Sequence, residues 1–358
     1  MNEKVKTLVV LSPGFPKNEA DSTCVPAMQV FVKNLKQDFP GLNIIILAFQ
    51  YPFISAQYQW NDVTVIAFNG KNKSRLFRLL NWIKIWIALR RLKKQYHLIG
   101  LLSFWMGDCA FIGNLFAKRN RLKHLCWVLG QDAKPGNKYF KWIKPKGDSL
   151  IALSDFIARE FYKNYGIIPA HVIPIGIDPT LFNMDSIEKD IDILGAGYLI
   201  PLKQYHLLIN MVHSLRDQFH GIKAVICGDG PELGYLSTLI ETLHLENNVK
   251  LMGELPHDYV LALMQRTKVF VHPSAYEGFG VVCLEALYSG AQVVSFVHPM
   301  DADIKNWHFA REPGDMLNTV KILLENYSPD HNPVSPYLVA DSCEMMMKLF
   351  DYSEATTS

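Results

Sequence analysis

No stretch of this 358-residue chain is apolar for long enough to cross a bilayer. The longest, around Ile83–Leu89, is interrupted by Lys84 and falls far short of the ~20 residues a spanning helix needs. The six cysteines (Cys24, Cys109, Cys126, Cys227, Cys283 and Cys343) include no C-x-x-C pair. Most stand singly in apolar surroundings, so reduced, buried thiols are expected rather than a disulfide or zinc framework. No G-x-G-x-x-G follows the first strand-like run, Leu8-Val9-Val10-Leu11, which argues against a dinucleotide-dependent oxidoreductase. Met1–Lys6 enters that run without an apolar leader and a small-residue cleavage site, so no signal peptide is read. Solenoid repeats and low-complexity tracts are absent too. Finally, Lys71 to His97 holds nine Lys/Arg and no acid.

What is present describes an ordinary globular α/β protein, 49% hydrophobic and 20% charged. A single core stops growing at roughly 250–300 residues, so two domains are expected. The net charge of +2 hides a division between them. Residues 1–172 carry 25 Lys+Arg against 10 Asp+Glu, or +15, and the remaining 11 and 24 leave residues 173–358 at −13. The basic half is expected to face something anionic.

Both halves alternate short apolar runs with helical periodicity, the pattern of a doubly wound parallel sheet. Strands are expected at Thr7–Leu11, Leu42–Phe49, Val63–Ala67, Leu98–Ser103, Leu122–Val128 and Ser149–Ala152 in the first half. In the second they are expected at Asp190–Gly195, Lys223–Cys227, Val249–Met252, Val269–His272 and Gln292–Phe296. Met28, Phe31, Val32 and Leu35 mark the buried face of an intervening helix. The prolines and glycine of His171–Pro179 suit a hinge, and about Pro336–Asp351 reads as one last helix. The domains are therefore 1–172 and 173–335, with a last helix and tail at 336–358.

The strongest chemical signal runs from Val269 to Leu287. A buried strand ends at His272-Pro273, a loop carries Glu277-Gly278-Phe279-Gly280, and a helix opens near Gly280 with Glu285 inside it. Ligands of α/β sheets bind beyond the carboxyl ends of strands, and a helix N-terminus there suits a diphosphate. Gly278 and Gly280 let backbone approach a ligand closely. A carboxylate is a bidentate acceptor, so Glu277 would grip sugar hydroxyls and Glu285 the ribose. Gly14, in the loop Ser12–Thr23, either brings amides toward a phosphate or acceptor or simply permits a β–α turn.

This segment resembles the signature of retaining family-four glycosyltransferases of the GT-B fold, with its paired glutamates after His-Pro-Ser. Further similarity lies in Ala152-Leu153-Ser154-Asp155-Phe156, in Val172–Asp178, in Gly197–Gln204 and in Gly228-Asp229-Gly230-Pro231-Glu232. The resemblance implies two Rossmann-like domains facing across a cleft, the first for acceptor and the second for a nucleotide sugar, with the helix of 336–358 crossing back to the first. It also implies that Lys203 neutralises the donor diphosphate as a mobile point charge, with Glu277 orienting the sugar. Gly228 and Gly230 then belong to the nucleotide side. Tyr198 stands where the family usually has arginine. In Trp127–Asp132, Leu129 stands where histidine is common, while Asp132 completes the Gly-x-Asp and is expected to bind substrate. The expected activity is metal-independent hexosyl transfer to a glycan or lipid-linked acceptor in cell-envelope polysaccharide synthesis, with UDP favoured over GDP and no cofactor. A donor-binding protein without transfer and a nucleotide-sugar epimerase remain the alternatives.

Two Asp-x-Asp triplets, Asp190-Ile191-Asp192 and Asp301-Ala302-Asp303, are read as surface carboxylates rather than a metal site. In Lys71–His97, the spacing of Leu76, Leu80, Ile83 and Ile87 suits a helix packed on the first sheet. That packing explains neither the unopposed charge nor Trp82 and Trp86, and a basic amphipathic helix on anionic membrane is the other reading. Nucleic acid is not an expected partner. The expected location is cytoplasmic, peripheral to the inner face of the membrane.

Overall fold

A computed structural model describes residues 4–70, 74–182, 187–328 and 333–353. The opening of the basic stretch, Lys71-Asn72-Lys73, lies outside them, as do the chain ends included in the two terminal domain assignments. The chain forms two α/β units, Met1–Gly176 with Val339–Ser358, and Ile177–Leu338. The divisions fall a few residues beyond positions 172 and 335.

The first unit runs β1 (Lys6–Gly14), α1 (Pro26–Asp38), β2 (Asn43–Tyr51), β3 (Ser55–Trp60), β4 (Val63–Phe68), α2 (Arg75–Gln95), β5 (His97–Phe104) and α3 (Asp108–Asn120). It continues through β6 (His124–Val128), α4 (Lys138–Ile143), β7 (Leu150–Ala152), α5 (Asp155–Tyr165) and β8 (His171–Val172). Its eight-stranded sheet has the order β3-β4-β2-β1-β5-β6-β7-β8. Pairing is parallel except where β3 turns back antiparallel on β4. Strands β1 and β2 are nearly continuous apolar runs because helices can cover both faces of a central parallel strand. The two strands not expected from sequence are edges: β3 is largely solvent-facing, and β8 has two residues. On α1, Met28, Phe31, Val32 and Leu35 are buried, as their spacing predicts.

Helix α2 corrects an expectation. Leu76, Leu80, Ile83 and Ile87 do not pack on the sheet; they are exposed. Ile85, Leu89 and Leu92 make the packing face. Trp82 and Trp86 flank it, 5.2 Å centroid to centroid from Phe111 and Phe116 of α3. The helix is apolar on two sides, so periodicity alone did not reveal which side the sheet takes.

The second unit runs β9 (Ile191–Ala196), a 3-10 turn at Pro201–Lys203, α6 (Tyr205–Leu215), β10 (Ala224–Cys227), α7 (Leu233–Thr242), β11 (Val249–Leu251) and α8 (His257–Gln265). Then follow β12 (Thr267–His272), α9 (Val281–Tyr288), β13 (Gln292–Ser295), β14 (Trp307–Phe309) and α10 (Pro313–Glu325). Its six strands are parallel in the order β11-β10-β9-β12-β13-β14. Counted from β9, that is the 3-2-1-4-5-6 winding of a dinucleotide-type Rossmann sheet, whose direction reverses between β9 and β12.

The chain returns to the first unit through α11 (Val339–Leu349), which packs against α1. Buried Ser342 fixes it to the incoming linker, accepting from Gly176 N at 3.1 Å and donating to Pro174 O at 2.7 Å.

Candidate functional site

At a winding reversal the loops leaving two neighbouring strands diverge to opposite faces, which opens a crevice for a ligand. In the second unit those loops follow β9 and β12, and they carry Lys203 and Glu277. The loops are tied to each other: Ala275 N donates to Leu202 O at 2.9 Å, and Ser274 Oγ reaches the same carbonyl at 3.4 Å. Lys203 Nζ consequently forms an ion pair with Glu277 Oε1, both side chains being about four-fifths buried. His272, at the end of β12 and wholly buried, contacts the same oxygen through Nε2 at 3.2 Å. An ionised carboxylate only accepts, so Nε2 carries the proton of that bond. His272 Nδ1 has no hydrogen-bond partner among the described residues.

Burial would push the Glu277 carboxyl up, but the bond from His272 and the Lys203 charge outweigh it and hold the group down at about 2. His272 is lowered, chiefly by burial and further by Lys203, with Glu277 opposing. The three residues therefore present a fixed anion, a partnered cation and a neutral imidazole near neutral pH.

Helix α9 begins beside this cluster. Its N-cap, Gly280, has φ 85° and offers no side-chain cap; Cys283 N donates back to Gly280 O at 2.8 Å, and helix geometry leaves the amides ahead of it, Val281 and Val282, directed out of the helix start. A Cβ there would touch Cys283 Sγ only at 3.5 Å; glycine is required by the left-handed backbone and not by crowding. Phe279 is buried and packs edge-on against Trp307 and Tyr337, leaving its backbone, not its ring, for a ligand. Gly278 is buried in the same loop.

Glu285, one turn into α9, is partnered by His257 Nε2 at 2.8 Å. Burial opposes the charged imidazole, but the Glu285 bond and charge prevail and raise His257 above its ordinary value. His257 opens α8, in the loop beyond β11.

The remaining expected residues fall into two groups. Gly228 and Gly230 support the Lys203 loop. A Cβ on Gly228, at φ 142°, would lie 1.9 Å from Gly197 O, and one on Gly230 would lie 2.4 Å from Leu199 O. Leu199 N donates to Asp229 O and Glu232 N to Leu199 O, so the Gly-Asp-Gly-Pro turn is the surface on which that loop rests. Tyr198, in the same loop, is 61% exposed and supplies no cation in place of arginine.

Gly14 and Asp132 belong to the first unit. Gly14 ends β1 buried, its backbone lying against Tyr51; Asp21 holds the following loop by accepting from Tyr51 Oη at 2.6 Å and Lys17 N at 3.1 Å. Asp132 differs from the expectation of a ligand-facing carboxylate. It is buried and accepts from the backbone amides of Met106, Leu129 and Gly130 at 2.7, 3.1 and 2.8 Å, fixing its own loop.

Of the two Asp-x-Asp triplets, Asp190 receives both arms of Arg266 at 2.8 and 2.6 Å, and Asp192 receives Lys268 at 2.7 Å. These lie at the start of β9, the end of the sheet away from Lys203. Asp303 lies 3.4 Å from His298. Among the described residues no group of three or more His, Cys, Asp or Glu is placed to hold a metal ion.

Two sequence families meet in this chain. Residues 28–181 match the family described as Glycosyltransferase Family 4, and residues 180–311 match Glycosyl transferases group 1. The chain belongs to the group 1 glycosyltransferases of family four.

Among its relatives in the family, the gpi3 subunit of phosphatidylinositol N-acetylglucosaminyltransferase from Schizosaccharomyces pombe is 28% identical over 52% of this chain and 42% of its own length. Glycogen synthase of Mycobacterium tuberculosis is 28% identical over 48% of this chain and 43% of its own. The chain thus spans about two-fifths of these relatives. The crystal structure of Anabaena Alr3699/HepE in complex with UDP and glucose superposes with a TM-score of 0.66 at 17% identity, covering 97% of this chain and 95% of that one. The shared architecture is GT-B.

His272 and His257 are the two site residues to which sequence reasoning gave no role. His272 stood in the quoted motif without a role. His257 carried no signal at all, since 28 positions separate it from Glu285.

Proposed function

We propose that the protein is a retaining glycosyltransferase that moves a hexose-type sugar from a nucleoside diphosphate sugar, UDP before GDP, to a glycan or lipid-linked acceptor. The observation that carries this reading is the Lys203–Glu277 pair at the winding reversal, beside the uncapped start of α9. Family membership and the UDP complex of Anabaena HepE support the same donor class.

In this mechanism the donor diphosphate draws the Lys203 ammonium and accepts from the first amides of α9. Both stabilise the charge that develops as the sugar departs, often the largest single catalytic contribution. Glu277, ionised throughout the working range, is then free to accept from sugar hydroxyls while His272 keeps it oriented. Glu285, fixed by His257, takes the ribose hydroxyls. No side chain becomes covalently attached, and no metal is needed where Lys203 and the helix supply the positive charge. The basic first domain suits an anionic, envelope-type acceptor.

The test is nucleotide release from UDP- and GDP-sugars, with and without candidate acceptors, and NMR of the product's anomeric configuration. Acceptor-dependent release with retention supports the reading. Binding without turnover would favour a protein that has lost transfer, a reading motivated by Tyr198 and Leu129; interconversion of donor sugars without acceptor would favour an epimerase.

A further inference from the structure

Helix α2 departs from the usual surface helix of a soluble protein, which carries one apolar stripe, in being apolar on two sides. Its inner face is fixed, with Ile85 and Leu89 fully buried and the two tryptophans seated against α3. Its outer face is aliphatic as well. Leu76 is 66% exposed, Leu80 48%, Ile83 50% and Ile87 44%, at successive steps of four, three and four residues, so they form one continuous stripe. Rolling the helix to hide the stripe would expose the other side. Contiguous apolar surface of this kind marks an interaction site.

The charge along the same rows says what the site meets. Past Ile87 the stripe is continued by Arg90, Arg91 and Lys94, all exposed. Lys93 Nζ bonds Asn120 Oδ1 at 2.7 Å, which brings the basic end of α2 beside the last turn of α3 with its Lys118 and Arg119. On the neighbouring helices of the same unit, Leu115 of α3 is 48% exposed, and Trp142 of α4 is 51% exposed and 5.5 Å from the Phe111 ring that also meets Trp82. From residue 71 to 97 there is no acid.

We infer that the outer face of α2, with Leu115 and Trp142 beside it, seats the first unit on an anionic lipid surface. Leu76, Leu80, Ile83 and Ile87 enter the acyl boundary, and Arg90, Arg91 and Lys94 meet phosphate headgroups. An aliphatic stripe leading into cations, with an interfacial tryptophan at its side, is the composition of a helix lying in the membrane plane. Insertion across the membrane is not implied: no helix among the described residues is long and apolar enough to cross one. A second copy of the chain is disfavoured as the occupant, because an isologous contact pairs this face with itself and α2 carries no acid to meet Arg90, Arg91 and Lys94. The inference does not depend on the donor-site reading, since α2 and Lys203 lie in different units.

Flotation of the full chain with vesicles of phosphatidylcholine alone, and of phosphatidylcholine mixed with phosphatidylglycerol, tests it. The protein should float with the mixed vesicles only, and less so at high salt. Leu80→Ser/Ile83→Ser/Ile87→Ser and Arg90→Gln/Arg91→Gln/Lys94→Gln should each lower partitioning by about ten-fold or more. Both variants should keep the wild-type Tm and nucleotide affinity, because every substituted position is solvent-exposed. Three results would overturn the proposal: no partitioning of the wild type, equal partitioning of the serine variant, or a wild-type dimer in sedimentation that the serine variant abolishes.

Discussion

Glu277 shows how one carboxylate can be kept ready for a sugar. It is buried enough to favour protonation, yet His272 and Lys203 hold it at about 2, so its ionisation should leave no mark on the pH profile of turnover above about pH 5. Glu277→Gln removes the charge with little change in volume and should lower kcat by at least about a hundred-fold; it also leaves the buried Lys203 without its counter-charge, so Tm should fall and kcat is compared below the variant's unfolding. Wild-type kcat in that steady-state assay would remove Glu277 from the mechanism. His257 titrates with the opposite sign. Its folded value is raised above the ordinary 6.5, so its bond to Glu285 stabilises fully below about pH 6 and is lost as pH rises through the raised value. The Tm difference between wild type and His257→Gln should therefore narrow from about pH 6 to 9, and a difference that widens would contradict the pairing. The two glutamates were legible because a family signature places them. The histidines holding them were less so, because the contact between His257 and Glu285 is made by the topology of β11, α8 and α9 rather than by any spacing along the chain.

At the scale of elements, the central strands and α1 could be read directly, since a parallel strand covered on both faces is a plain apolar run. The loops could not. Gly228 and Gly230 suggested an approach to nucleotide, whereas their missing side chains make room for Gly197 and Leu199. Gly228→Ala combines a steric clash with a positive φ and should cost about 2–4 kcal/mol in chemical denaturation, with donor affinity falling as the Lys203 loop shifts. Asp132 is the matching case in the first unit: its Gly-x-Asp setting suggested a ligand contact, and the fold turns the carboxylate onto three amides. Asp132→Ala should destabilise the protein by about 2–4 kcal/mol, because buried amides that lose a charged acceptor have nothing to replace it. Helix α2 marks the limit of periodicity, which detects an apolar stripe but does not say which of two the sheet will cover.

For the molecule as a whole, the opposite charges of the two halves coincide with two units of different chemistry, a basic one with an apolar external face and an acidic one with a Rossmann switch point. If Lys203 and α9 carry the diphosphate, turnover should survive EDTA; a strict requirement for a divalent ion would reassign that charge to a metal. The central claim concerns a single cation. Calorimetric titration of UDP into wild type and Lys203→Ala measures it most directly, since an ammonium–phosphate contact of about 1.5–3 kcal/mol corresponds to a weakening of about 10- to 150-fold. That loss, in a variant shown to be folded under the conditions of the titration, is the predicted result. Equal affinity in the two proteins would show that the diphosphate binds elsewhere.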